Sequence, residues 1–145
     1  MRHRATLPTA RTSKTKARGS SYPQHTSKFT IRRDPVTGAY LTLSNNNTDP
    51  AHPSQRDVLS LHASEELLRW RHVITLLEDD SGLSPEQSIA RIGFQYVDRQ
   101  FDGDDIIYVV RAAYRGAHNF HDANHIAFAR IEDFRRLLTR SCDHR

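Results

Sequence analysis

Cysteine is nearly absent: Cys142, three residues from the end of the 145-residue chain, is the only one. That excludes an internal disulfide framework and any cysteine-built zinc site. No apolar run approaches the roughly eighteen residues of a membrane-spanning helix, so no membrane partner is expected. Acids are missing from residues 1–33, which hold nine Lys and Arg. Lysine is missing after Lys28. Residues 34–145 hold twelve arginines against all seventeen acids, a net negative balance. The formal charge of +4 therefore belongs to an arm and not to the body. That argues against a basic nucleic-acid-binding body, and a nucleic-acid partner is not expected.

Residues 1–26 are rich in Arg, Ser and Thr and lack the apolar core of a secretory signal. They read as a disordered basic arm, formally similar in composition to a transit peptide. From Ser27 the pattern turns to strands. Phe29 and Ile31 alternate with Thr30 and Arg32, and Asp34-Pro35-Val36-Thr37-Gly38 is turn chemistry. Ala39–Ser44 returns, a polar loop runs from Asn45 to Gln55, and Val58–His62 and His72–Leu77 read as further strands. Glu65–Trp70 admits a short helix instead of a turn, because Glu-Glu-Leu-Leu-Arg favours one.

A second unit follows the same plan. Ile92–Val97 is strand-like, Asp102-Gly103 signals a hairpin, and Ile106–Arg111 is dense in β-formers. The loop Tyr114–Asn124 precedes a strand at Ile126–Ile131, and Glu132–Leu138 finishes as a helical turn. The expected fold is all-β, built from about two antiparallel four-stranded units. The first covers 27–78, an incomplete second covers 91–138, and 139–145 form a tail. Repeated units at this spacing suggest propeller blades, and periodicity alone also permits a small sandwich. Antiparallel order sets the compact turns at one end and the long polar loops, 45–55, 78–91 and 114–124, at the other.

Three stretches carry a resemblance: Asp34–Tyr40, Ser64–Trp70, and the run from Gly93 through Asp105, Arg111–Tyr114 and Gly116–Asn124. The chain resembles the sialidase-like, BNR-repeat glycoside hydrolases in their carboxy-terminal part, with Glu66 where that family's turn usually has Asp. The resemblance implies an incomplete β-propeller, a glycan substrate or ligand, and relatives that are commonly secreted or periplasmic. Two units cannot close a ring, so the chain reads as a truncated member that self-associates through uncovered blade edges. A non-catalytic carbohydrate-binding module is the alternative.

Sialidases use a Tyr nucleophile helped by a carboxylate, and arginines that clamp the sugar acid. The candidate catalytic residues are accordingly Tyr114, Asp122 and Asp98. The candidate substrate-binding residues are Arg111, His118, Asn119, His121, Asn124, Gln95, Tyr96 and Asn45. Plainer readings stand beside them. Arg111 suits a structural ion pair, and a strand-end Tyr114 suits packing with its hydroxyl satisfied. His118, His121, Asp122 and His125 could ligate a metal, but suit a hydrogen-bonding loop better. Asp102–Asp105 lacks the spaced carboxylates of a calcium loop and reads as a turn. Trp70 suits packing, since its turn falls at the compact end. No cofactor or metal is implied.

Overall fold

The computed structural model describes residues 29–47 and 49–140. The arm assigned to 1–26 and residues 141–145 of the tail lie outside the described residues. Strands β1 (Ile31–Arg33), β2 (Tyr40–Asn45), β3 (Val58–Ser64) and β4 (Arg71–Glu78) form one antiparallel sheet in chain order. Strands β5 (Gly93–Asp102), β6 (Asp105–Ala113) and β7 (His125–Ile131) form a second. Helices α1 (Pro85–Arg91) and α2 (Phe134–Arg140) follow β4 and β7. The all-β expectation and its two meandering units hold. The described residues form two sheets of four and three strands, with no closed ring among them.

Turn chemistry explains both hairpins read from sequence. Asp34 accepts hydrogen bonds from the backbone N–H groups of Val36 and Thr37 and from the Thr37 hydroxyl, at 3.3, 3.1 and 2.6 Å. Gly38 then supplies a φ of +77°. At the second hairpin Asp102 pairs with Asp105 across Gly103, at φ +63°.

The turn read at Ser64–Trp70 holds and its helical alternative does not, while two other expectations need correction. In the turn the Ser64 hydroxyl accepts the N–H of Leu67 at 2.9 Å, Leu67 adopts φ +70°, and the Trp70 indole donates to the Leu67 carbonyl at 3.0 Å. Local side-chain bonds to the backbone override the helix propensity of the segment. The link after β4 is not a plain loop, because it contains α1. Ser84 and Gln87 form a reciprocal capping box there, with Pro85 in the first turn. Finally, α2 runs to Arg140, past the limit drawn at 138.

The sheets share one core. Leu41, Leu43, Leu59 and Leu61 face Phe94, Ile106, Val110 and Phe134. Buried Arg99 crosses between the sheets, donating from Nη2 to the Leu41 carbonyl, and burial pushes its guanidinium down to about 10. The two ends of the molecule sort as topology requires. Arg135 joins the 34–38 turn to the 102–105 hairpin, bonding Asp34 at 2.7 Å and Asp104 at 2.6 Å. At the other end the Phe94 N–H donates to the Arg56 carbonyl, and the Phe120 N–H to the Ala90 carbonyl. The long loops and α1 thus meet.

The opposite face of the four-stranded sheet is polar yet buried, at Thr42, Ser44, Ser60 and His62. His62 and His72 are cross-strand partners with ring centroids 5.7 Å apart, and the His72 Nε2 lies 3.1 Å from the Thr75 hydroxyl. Burial lowers the His72 pKa. The unfolded chain therefore takes up this proton first, and stability falls as pH drops through the ordinary histidine value of about 6.5. Urea midpoints measured on both sides of that pH should fall more in the natural chain than in His72→Gln. Equal falls would remove His72 as the cause.

Candidate functional site

The polar end is built around the 114–124 loop and the strands that hold it. Gly93 opens β5 directly beneath Phe120; a Cβ there would lie 2.5 Å from the Phe120 carbonyl oxygen. Gln95 donates from Nε2 to that same oxygen at 2.6 Å. Inside the loop, Asn119 donates to the Asp122 carboxylate at 2.8 Å and accepts the His121 N–H at 2.8 Å. Asn124 closes the loop by accepting the Tyr114 N–H at 3.0 Å and donating to the Tyr114 carbonyl at 2.7 Å.

Several residues expected to touch substrate make structural hydrogen bonds. Asn45 is buried and donates to three backbone carbonyls, those of Arg56, Val58 and Phe94. Its amide stitches the two sheets together and is spent there. Asn124 and Gln95 hold the loop in shape, as above. Asp98 is exposed on β5 and pairs with Arg32 at 3.1 Å. It sits on the sheet face rather than in the loop.

Tyr114 is buried against Phe94 and His125. Its hydroxyl donates to Asp80, whose carboxylate lies 3.7 Å from the Arg115 guanidinium. Asp80 was invisible as a partner in the sequence, because it lies thirty-four residues away in the turn after β4. Asp122 bonds Asn119 within the loop, so the three residues expected to be catalytic each bond a different partner: Asp80 for Tyr114, Asn119 for Asp122 and Arg32 for Asp98. His118 and His121 are exposed on the loop. Among the described residues no three His, Cys, Asp or Glu side chains gather as a metal site.

What does converge is smaller. A register shift between Gln95 and Asp98 bulges β5 and pushes Tyr96 to φ +53°, a region that costs a non-glycine residue on the order of 1 kcal/mol. The bulge turns the Tyr96 ring outward, where the Arg111 guanidinium sits 5.6 Å from its centroid. Arg111 also reaches the His121 carbonyl at 3.4 Å. Among the described residues no carboxylate lies within ion-pair distance of Arg111, so the structural ion pair considered for it is not formed. The site is thus an exposed aromatic ring under a cation, bordered by the His121 end of a polar loop. Sequence reasoning named all these residues, but nothing in it showed that a strained bulge would bring Tyr96 to Arg111.

No protein-family model, no curated protein and no solved structure matches this chain.

Proposed function

We propose that this chain is a carbohydrate-binding module built from two propeller-type blades, and that its loop end holds an acidic glycan without hydrolysing it. The observation that carries the reading is Arg111: an exposed guanidinium, with no carboxylate of the described residues at ion-pair distance, laid over Tyr96. A guanidinium matches a sugar carboxylate bidentately. An aromatic face beside it suits the apolar side of a sugar ring, and the loop's Asn119 and His121 offer polar groups at the border. Tyr114, Asp122 and Asp98 are each held by a different partner, which favours binding over turnover.

Titration of the full chain with sialosides and uronic-acid oligosaccharides tests this. Arg111→Ala should weaken binding about 10- to 100-fold, the worth of one charge-assisted contact. Tyr96→Ala should weaken neutral and acidic sugars alike. Affinity for none of these glycans, or binding indifferent to Arg111→Ala, would sink the reading.

One contact favours a second reading, hydrolysis. The Tyr114 hydroxyl donates to Asp80, so a carboxylate is placed to take the phenol's proton. Release of a chromophore from aryl sialosides, abolished in Tyr114→Phe, would select hydrolysis over binding alone.

A further inference from the structure

Two of the six prolines follow an aspartate, at Asp34–Pro35 and Asp49–Pro50. An Asp–Pro bond is open to attack from its own side chain. The carboxylate can close a five-membered ring on the carbonyl carbon of its own residue. The prolyl nitrogen, a tertiary amide nitrogen, takes up a proton more readily than a secondary one and leaves as an amine. Such a bond breaks where the carboxylate is ionised and free to turn, a proton donor stands beside it, and water has access.

The fold treats the two bonds in opposite ways. Asp34 is 0% exposed, and its carboxylate holds five donors: Nε and Nη2 of Arg135, the Val36 and Thr37 amides and the Thr37 hydroxyl. It is neither free to turn nor open to water. Asp49 lies in the loop between β2 and β3, with 43% of its side chain exposed. Its Oδ1 accepts the Ala51 N–H at 2.9 Å, and its Oδ2 lies 2.7 Å from the His52 Nδ1. The His52 N–H also donates to the Asp49 carbonyl at 3.0 Å, which polarises the carbon to be attacked. The Gly38 N–H does the same for the Asp34 carbonyl. Carboxylate freedom, water and the imidazole are therefore what separate the two bonds.

We propose that Asp49–Pro50 is a self-cleavage site, with Asp49 as the nucleophile and His52 as the acid. The His52 imidazolium passes its proton by way of Asp49 Oδ2 to the Pro50 nitrogen. A carboxylate oxygen of Asp49 bonds to the Asp49 carbonyl carbon, and the carbon–nitrogen bond breaks with its electron pair left on Pro50. One water then opens the cyclic anhydride to the two carboxyl groups of a C-terminal Asp49. The His52 side chain and the Ala51 amide hold the Asp49 carboxyl below the ordinary carboxylate range, so it is ionised where His52 is protonated. Glu86 of α1 lies near both groups, and its negative charge favours the imidazolium. The products, 1–49 and 50–145, stay together in the folded molecule, because β2 keeps its pairing with β3.

The cut is separate from glycan binding, and either stands without the other. Incubation of the full chain on both sides of the ordinary histidine pKa of about 6.5, with masses then measured under denaturing conditions, tests it. Fragments 1–49 and 50–145 should accumulate faster below that pH than above it, with Asp34–Pro35 intact. His52→Gln should slow the cut by about 100-fold or more, the contribution of a placed general acid. Asp49→Ala and Pro50→Ala should stop it. In concentrated urea the two Asp–Pro bonds should break at similar rates, since the fold no longer distinguishes them. A natural chain that stays whole, a folded chain cut as fast at Asp34–Pro35, or a rate indifferent to His52→Gln would overturn the proposal. Cutting that persists in Pro50→Ala would overturn it too, by revealing a contaminating protease. If His52→Gln disturbs the loop, the pH profile of the natural chain decides: a rate that does not rise as His52 takes up its proton rules the mechanism out.

Discussion

Asp34→Ala is expected to lower the unfolding free energy by about 3–5 kcal/mol, the range for breaking a buried ion pair from one side. Asp34 is 0% exposed, and its two carboxylate oxygens take Arg135 Nε at 3.0 Å and Nη2 at 2.7 Å. One substitution therefore removes two effects. The 34–38 turn loses its three local hydrogen bonds, and Arg135 keeps only its outer contacts to Asp104 and the Gly103 carbonyl. Because the partners lie 101 residues apart, this pair ties the first hairpin to α2. Urea unfolding of Asp34→Ala, Arg135→Gln and the double variant separates the two effects. The double variant should lose less than the sum of the singles, by the coupling of the pair. Strict additivity would show that the turn bonds alone matter.

The same pair fixes an acid limit. Arg135 holds the Asp34 carboxyl well below the ordinary carboxylate range, with the Thr37 hydroxyl and the Val36 and Thr37 amides adding to the effect against the cost of burial. A depressed folded pKa stabilises the protein above the unfolded value of about 3.9, and the stabilisation is lost as pH falls below it. Acid unfolding should therefore shift to higher pH in Asp34→Ala.

The sequence made the strands legible wherever apolar alternation was unbroken, as at Leu41 and Leu43 or along Ile106–Val110. Both hairpins were legible too, because Asp and Gly carry turn information locally. Legibility ended where local signals compete or the deciding partner is distant. Glu65–Trp70 admits a helix by propensity, and the Ser64 hydroxyl and the Trp70 indole, each three residues from Leu67, claim its backbone for a turn. α1 could have been found from Ser84-Pro85-Glu86-Gln87, a capping box in plain order. The site was half legible. Polar residues in a loop suggested ligand contact, but Asn45, Gln95 and Asn124 direct their amides to backbone carbonyls. A polar side chain in a loop serves ligand or loop, and sequence alone does not say which, since both uses need the same donors. Arg111 is the opposite case. It reads locally as an ion-pair partner, yet no carboxylate of the described residues pairs with it, and it lies beside a tyrosine that a bulge turned outward.

Gly93→Ala should cost about 2–3 kcal/mol and displace the loop, the effect of forcing one methyl into a filled site. The added Cβ would meet the Phe120 carbonyl oxygen at 2.5 Å and the Phe120 Cβ at 3.0 Å. The first of these is backbone, so no rotamer change relieves it. The strand has little room to give, because Gly93 pairs with Ala113 and the next residue, Phe94, is fully buried. The loop is the softer element and should move. Its displacement stretches the Gln95-to-Phe120 bond and pulls the Phe120 N–H off the Ala90 carbonyl. His121 follows Phe120, so its carbonyl leaves Arg111 as well. The predicted signature is a modest loss of thermal stability with a larger loss of glycan affinity, even though residue 93 touches no ligand. Backbone amide shifts should change across 114–124 and stay fixed in β2 and β3. A variant that melts lower but binds glycan as before would show that the loop's position is not what the Tyr96–Arg111 site requires.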